Sequence, residues 1–358
     1  MTNSDKPQGL SKLRAIKRKS VVLSSEDLVS YEPLGAGGLP LLITPKADQL
    51  DLPVWAAQHR DALRAKLQAH GALLFRGFSS PSIETFSATV RSVSGEPLRY
   101  AERSSPRHAV DGNVYTSTDY PPEYPIFLHN EQSYNVSWCR VISFHCAQAP
   151  GGGGQTPLAD TRRILARLDP ALVERFASRR YLYQRNFGDG FGLSWQVAFQ
   201  TESKAEVDAY CRANRIETEW KDGDRLRTRQ VREAVHHHPD TGARVWFNHA
   251  TFFHVTTLPP PVRDTLLAGF AEEDLPNHTY YGDGASIEPD VMAELQQAYL
   301  DEKVLFDWQA GDVLLVDNML SSHGREPFSG PRRVLTAMSE PSGAARGPGG
   351  AVDAGASA

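Results

Sequence analysis

The stretch 126-IFLHNEQSY-134 decides the fold, because an apolar run ends there in a histidine and a glutamate one residue apart. Residues i and i+2 of a β-strand face the same side of the sheet. The His129 imidazole and the Glu131 carboxylate are therefore expected to converge on one metal ion. Such an ion needs at least one more protein ligand from another strand.

The best third ligand is His323, which follows a buried strand predicted after the Gly-Asp turn of 311-GDVLLVDNMLSSHGREPFSGPRRVLTAM-338. Two histidines and one carboxylate on one face form a facial triad, which leaves coordination positions open and is typical of non-haem Fe(II) oxygenases. Without His323, a hydrogen-bonded pair in the core would be the better interpretation of His129 and Glu131.

Other histidine clusters fit a metal site less well. His59 and Asp61 lie in an amphipathic helical stretch, where residues two apart point in different directions. The triple histidine 236-HHH-238 precedes a Pro-Asp-Thr-Gly turn, and adjacent residues of a strand alternate sides. Neither cluster is predicted to bind a metal.

Composition excludes several classes of function. The 358 residues are 40% hydrophobic and carry a formal net charge of −5, so no field attracts the chain to nucleic acid or anionic lipid. No apolar run reaches the roughly 18 residues of a membrane span. Three cysteines without a C-x-x-C pair encode neither a disulfide framework nor a thiolate zinc site. A cytoplasmic protein is expected.

The chain is predicted to form one domain over residues 26–340, between a disordered basic tail at 1–25 and a Pro/Gly/Ala-rich disordered tail at 341–358. Helical periodicity predicts helices over 53–71 and 83–93, and the apolar run from residue 72 predicts a buried strand between them. Strand patterns then dominate to residue 160.

The middle of the chain, about 160–300, is predicted to be an insertion into an all-β core. Helices are expected over 162–180 and 204–215, alternating with aromatic-rich irregular segments, and strands are expected to return in 304-VLFDW-308 and VLLVDN. The glycines 151-GGGG-154 lack the Lys-Ser/Thr of a phosphate-binding loop and predict a turn. The whole pattern indicates an α+β fold.

These motifs carry a family resemblance. The chain resembles the Fe(II)- and 2-oxoglutarate-dependent dioxygenases of the taurine-dioxygenase type in 72-ALLFRGF-78, the His-x-Glu at 129–131, 152-GGGQTPLAD-160 and 323-HGREPFSGPRR-333. It looks closer still to the amino-acid hydroxylases of syringomycin-biosynthesis type in 183-YQRNFGDGFGLSWQ-196, 245-VWFNHATFFH-254 and 280-YYGDG-284. The resemblance implies a double-stranded β-helix, the jelly-roll core of cupin-like proteins, with flanking helices and a lid-type insertion.

The resemblance also implies roles for individual residues. His129, Glu131 and His323 would bind Fe(II), and Thr156 would hydrogen-bond 2-oxoglutarate, which reacts with O2. Arg332 or Arg333 would pair with the far carboxylate of 2-oxoglutarate. We prefer Arg332, because the order Arg332-Arg333-Val-Leu matches the family's arginine, any residue, then two apolar residues.

The substrate is implied less directly. Relatives act on amino acids, free or tethered to a carrier protein, so hydroxylation of an unactivated carbon of an amino-acid-like substrate in specialised metabolism is expected. Asn248, Phe187, Arg76 and Arg325 are candidate substrate contacts, although both arginines could equally be structural ion-pair partners. Glu131 fills the position that related halogenases leave to chloride, which disfavours halogenation.

Other interpretations remain open from sequence alone. Desaturation, epimerisation or cyclisation would use the same cofactor. A noncatalytic jelly-roll binding protein would need neither the triad nor Thr156, and a zinc hydrolase would need no arginine beyond the last ligand. Relatives are often homo-oligomers, but no interface is evident in the sequence.

Overall fold

The computed structural model describes residues 28–79, 81–99, 108–117, 120–188, 190 and 192–343. Its strands are β1 (Val29–Pro33), β2 (Leu41–Pro45), β3 (Ala72–Phe75), β4 (Ala109–Asp111), β5 (Val114–Thr116), β6 (Ile126–His129), β7 (Ser137–Gln148), β8 (Gly152–Gly153), β9 (Leu158–Asp160), β10 (Tyr181–Phe187), β11 (Glu217–Trp220), β12 (Leu226–Arg232), β13 (Val235–His237), β14 (Arg244–Trp246), β15 (Asn277–Tyr281), β16 (Val313–Asp317), β17 (Ser321–Arg325), β18 (Phe328–Ser329) and β19 (Arg333–Gly343). Its α-helices are α1 (Leu52–Gln58), α2 (Arg60–His70), α3 (Ile83–Ser94), α4 (Thr161–Arg167), α5 (Pro170–Arg179), α6 (Trp195–Phe199), α7 (Lys204–Ala213), α8 (Pro260–Gly269) and α9 (Pro289–Asp301).

Two sheets form the predicted β core. The larger has the order β1-β2-β3-β16-β7-β19-β5-β4, and a three-stranded sheet has the order β6-β17-β9. Strand β16 pairs with β3 on one side and with β7 on the other. All five of its residues are buried, with Val313 and Leu315 in one hydrophobic cluster and Leu314 and Val316 in another. Burial on both faces explains its continuous apolar sequence.

The N-terminal helices pack on the outer face of the large sheet. The predicted helix over 53–71 is two helices, because the chain breaks at His59, whose ring contacts the Trp55 carbonyl at 2.7 Å. Gly71 ends α2 in the left-handed region with φ 78°, as predicted for the residue after a helix. The buried strand β3 and the helix α3 confirm the next two predictions.

The insertion contains a sheet that the sequence analysis did not predict. Strands β11, β12, β10 and β15 form a four-stranded antiparallel sheet where irregular structure was expected. Its strand β12, 226-LRTRQVR-232, lacks an apolar face, and buried Arg227 bonds to the Asn186 side chain and to Glu273 and Asp274. Such a strand satisfies its polar groups with partners distant in sequence, so no local pattern indicates it.

Three smaller expectations also need correction. Of 304-VLFDW-308, only Val304 forms a β-bridge, with Leu158, and the following residues are irregular. Strand β19 continues to Gly343, pairing Gly343 with Ser137, so the segment from residue 341 begins as strand. The glycine run includes β8, which pairs with β18.

Two predictions fall largely outside the described residues. The N-terminal tail at 1–25 lies wholly outside them, and so does the C-terminal tail beyond residue 343. Within the described residues, no helix has the length and apolar character needed to cross a membrane.

Candidate metal and cosubstrate site

The three predicted metal ligands meet between two paired strands. His129 ends β6 and lies directly opposite His323 on β17. One ligand atom from each of His129, Glu131 and His323 lies within 4.8 Å of the other two. Over the described part of the chain, this is the one group of three or more His, Cys, Asp or Glu side chains with such geometry.

Local hydrogen bonds orient two of these side chains. His129 Nδ1 donates to the Phe127 carbonyl at 2.8 Å, so Nε2 is the ring nitrogen that can ligate a metal. Glu131 lies in a turn after β6, so the position of its side chain does not follow from the strand alternation that we expected. Instead, the buried Asn318 side chain accepts from Glu131 N at 2.7 Å and donates to Glu131 O at 2.8 Å.

Asn318 is a positioning residue that sequence analysis missed. It is fully buried and also donates to the Cys139 carbonyl at 2.8 Å, while Asn130 donates to the Asn318 carbonyl at 2.6 Å. The sequence feature that could have indicated Asn318 is the polar Asp-Asn pair that ends the apolar run VLLVDN. A buried amide needs partners, and here they are the backbone that carries a metal ligand.

A small polar cavity adjoins the triad. Its walls include His129, His323, Thr156 and Arg332. Arg332 Nε donates to the Gly154 carbonyl at 3.1 Å, and in the described structure no carboxylate pairs with its guanidinium. Burial, with the nearby Arg325 charge, lowers the pKa of Arg332 to about 10. A half-buried cation that lines a cavity in this way favours an anionic ligand. Arg333, in contrast, is exposed.

Two hydroxyl groups face the same cavity. Thr156 is buried, and its Oγ1 accepts a hydrogen bond from Trp308 Nε1 at 3.1 Å. Thr336 is also buried, and its Oγ1 has no hydrogen-bond partner among the described residues. Sequence analysis missed Thr336, although Arg332, Val334 and Thr336 follow the two-residue alternation of a strand.

A second, larger cavity of about 230 Å³ opens on the other side of His129 and Glu131. Its walls come from residues 120–131 of the core and from residues 249–277 of the insertion. The Phe252 ring lies 4.4 Å from the His129 ring in a tilted contact, and Phe253 stacks on Tyr183 at 4.2 Å. The insertion thus forms one side of a chamber that ends at the triad.

Comparison with known proteins identifies the family. Residues 31–338 match the model described as taurine catabolism dioxygenase TauD, TfdA family. The chain belongs to the TauD/TfdA family. It is accordingly a 2-oxoglutarate-dependent dioxygenase, with Fe(II), 2-oxoglutarate and O2 as its cofactor and cosubstrates. The jelly-roll core expected from the sequence is the fold of this family.

Individual relatives support this assignment. The dapdiamide synthesis protein DdaC of Enterobacter agglomerans is 44% identical over 275 residues, which cover 77% of this chain and 84% of the relative. A clavaminate synthase-like protein of Arabidopsis thaliana is 27% identical over 322 residues, covering 84% and 93%. The solved structure of PvcB, an Fe, alpha-ketoglutarate dependent oxygenase from an isonitrile synthetic pathway, has a TM-score of 0.53 at 19% identity and covers 90% and 94%.

Within this TauD/TfdA chain, none of the four predicted substrate contacts lines the large cavity, and three of them line neither cavity. Asn248 is buried, donating to Ala234 O at 2.9 Å and accepting from Ala250 N at 3.0 Å. Arg76 forms a two-point ion pair with Asp312 at 3.0 and 2.7 Å, which is the structural alternative. Phe187 packs in a separate hydrophobic cluster of the insertion.

The fourth predicted contact, Arg325, lies on the wall of the small cavity. Its guanidinium donates to the carbonyls of Tyr120, Pro121 and Tyr124 at 2.9, 2.6 and 2.9 Å. These bonds fasten the segment that precedes β6, and Tyr120 in turn lines the large cavity. Arg325 therefore holds the backbone that leads into the wall of the large cavity.

Proposed function

We propose that His129, Glu131 and His323 hold Fe(II), and that Arg332 and Thr156 hold 2-oxoglutarate beside it. The observation that carries this proposal is the continuity of the triad with a cavity whose half-buried Arg332 has no carboxylate partner among the described residues. Two imidazoles and one carboxylate are the donor set of Fe(II) oxygenases with open coordination positions. The second imidazole nitrogen of His129 is already engaged, which fixes the ring as a ligand requires.

The protein's own groups then have distinct tasks. When bound, the iron supplies O2 activation coupled to the oxidative decarboxylation of 2-oxoglutarate to succinate and CO2. Arg332 forms a charged hydrogen-bond pair with the far carboxylate of the cosubstrate, and Thr156 supplies a hydroxyl beside it. The aromatic walls of the large cavity exclude water from the face where the substrate lies.

The second part of the proposal concerns the substrate. We infer an amino acid or an amino-acid derivative, hydroxylated at an unactivated carbon in specialised metabolism. The names of DdaC, a dapdiamide synthesis protein, and PvcB, from an isonitrile pathway, support this class. Glu131 occupies the acidic ligand position, which argues against halogenation. Desaturation, epimerisation and cyclisation are distinguished from hydroxylation by the mass of the product.

The first experiment is an anaerobic titration of the protein with Fe(II) in the presence of 2-oxoglutarate. A weak visible charge-transfer band is expected in the native protein and should be lost in His129→Ala and Glu131→Ala, with the fold retained by circular dichroism. Substrate-dependent release of succinate on exposure to O2 would follow. A native protein that binds both components without forming the band would instead favour a noncatalytic or zinc-dependent role.

A further inference from the structure

The polar groups that line the cavity of about 230 Å³ beside the triad are mostly uncharged. Of the described residues that line it, none is a lysine or an arginine, and Glu131 is the only carboxylate. An amino acid bound with a free carboxylate would therefore lose its hydration here without gaining a lysine or arginine partner from the described part of the chain. The chamber instead presents neutral donors at His254 and Asn277.

The hydrogen bonds of His254 define its tautomer. Its Nδ1 accepts from Thr256 N at 3.3 Å and lies 2.8 Å from the Thr256 hydroxyl, at the start of a short 3-10 helix. The centroids of the His254 and His278 rings lie 4.3 Å apart in a tilted contact, and burial, with His278 beside it, lowers the pKa of His254 to about 3. A neutral ring whose Nδ1 accepts must carry its proton on Nε2.

Nothing in the described structure accepts that proton. His254 is 6% exposed and lines the cavity, and no hydrogen-bond partner for its Nε2 lies within the described residues. The cavity is the space in which a ligand can supply one.

Asn277 provides a second donor on the same wall. Its Oδ1 accepts from the Tyr183 hydroxyl at 2.7 Å, which fixes the orientation of the amide. The amide nitrogen of Asn277 is thereby left to donate, and the residue lines the same cavity as His254. Asn277 also directly precedes His278, whose ring contacts that of His254.

We propose that His254 Nε2 and Asn277 Nδ2 determine specificity by donating hydrogen bonds to an uncharged acceptor of the substrate, such as an amide carbonyl. This assignment rests on the proposed function and narrows its substrate class to amino-acid derivatives whose carboxyl group is neutral. The aromatic wall of Phe252 and Phe253 packs on the aliphatic part of the substrate, which places its carbon chain toward the triad.

Matched ligands and variants test the assignment. The probes are N-acetyl-L-amino acid amides, each paired with the N-acetyl-L-amino acid of the same side chain. Binding is followed by the shift of the charge-transfer band under anaerobic conditions and by calorimetry with the iron-free protein. In His254→Asn the amide retains an acceptor near the position of Nδ1, whereas His254→Gln retains a donor near the position of Nε2. Asn277→Asp keeps the acceptor for Tyr183 and removes the donor.

We expect each amide that binds to have an affinity at least about tenfold higher than that of its paired acid. His254→Asn and Asn277→Asp should each weaken amide binding by about tenfold, whereas His254→Gln should stay within about threefold of the native protein. The assignment fails if acids bind as tightly as amides, if no pair binds, or if His254→Asn binds amides like the native protein. Absence of the charge-transfer band itself would count against the proposed function, while calorimetry would still test His254.

Discussion

Arg332 and Arg333 are neighbours with opposite environments, which makes them a matched pair for testing the cosubstrate site. Arg332 lines the small cavity, whereas Arg333 is exposed at the start of β19. Arg332→Ala should raise the 2-oxoglutarate concentration needed for half-maximal charge-transfer absorbance by about tenfold to a hundredfold, since a charged hydrogen-bond pair is lost. Arg333→Ala should change it less than about twofold. The reverse result would shift the cosubstrate arginine by one residue.

The buried side-chain amide of Asn318 supports the backbone of Glu131, a predicted metal ligand, and provides a second test. Asn318→Ala removes the hydrogen bonds to both backbone groups of Glu131 and to Cys139. The free energy of unfolding should fall by about 2–4 kcal/mol, and Fe(II) affinity should fall with it because the Glu131 turn loses its support. Both are measurable, by urea denaturation and by anaerobic iron titration.

The control for this test is Asn113→Ala, which removes a hydrogen bond to the Pro97 carbonyl, outside both site cavities. It should lower stability without changing iron affinity. Equal iron affinity in Asn318→Ala and the native protein would show that the Glu131 turn holds its shape without this amide.

Individual residues differ in how far the sequence could predict them. His129, Glu131 and His323 form a recognisable ligand set in a strand context. Asn318 does not, because its significance depends on which backbone groups it meets after folding. A buried polar side chain has no local periodicity, and its partners here come from other elements.

At the level of elements, the two-residue strand β8 leads into Gly154, whose carbonyl accepts from Arg332, the proposed cosubstrate arginine. Gly153 has φ 70°, and a Cβ there would lie 2.2 Å from the Pro327 carbonyl oxygen on the segment leading to β18. Gly153→Ala should therefore lower the free energy of unfolding by about 2 kcal/mol or more and weaken 2-oxoglutarate binding, because Gly154 O accepts from Arg332.

Gly151→Ala is the matched control in the same turn. Its φ is ordinary, and the nearest atom to its added Cβ would be the Ser329 carbonyl oxygen at 3.5 Å, a normal contact. It should change stability by less than about 0.5 kcal/mol. Comparable destabilisation by the two substitutions, measured by urea denaturation, would rule out the close approach at Gly153 as the cause.

The boundaries of helices and strands are also only partly predictable from sequence patterns. The periodicity of 162–180 predicted one helix, but α4 ends at Arg167 and α5 begins at Pro170. Asp169 precedes the proline, is non-helical and caps α5 by accepting from Ala171 N. This break was readable from Pro170. The sheet of the insertion was not, because its arginine-bearing strand β12 is stabilised by distant partners.

For the molecule as a whole, buried neutral histidines predict a loss of stability in mild acid. Burial lowers the pKa of His254 to about 3 and that of His278 to about 4, and it also lowers the pKa of His145 and His236. An unfolded histidine, with a pKa of about 6.5, binds a proton as pH falls below that value, whereas the folded His254 and His278 rings stay neutral down to a pH of about 4. Proton binding therefore stabilises the unfolded state and lowers the free energy of unfolding as pH falls from 6.5 to about 4.

His254 and His278 alone should lower the free energy of unfolding by about 2 kcal/mol each between pH 6.5 and 5, where most carboxylates remain ionised. Urea denaturation of the metal-free protein at pH 7, 6 and 5 measures this slope. The double variant His254→Asn/His278→Asn should show a clearly shallower slope, whereas substitution of the exposed His237 by Asn should not change it. Equal stability of the native protein at pH 7 and pH 5 would mean that these rings are protonated in the fold, and the neutral donor assigned to His254 would fail with it.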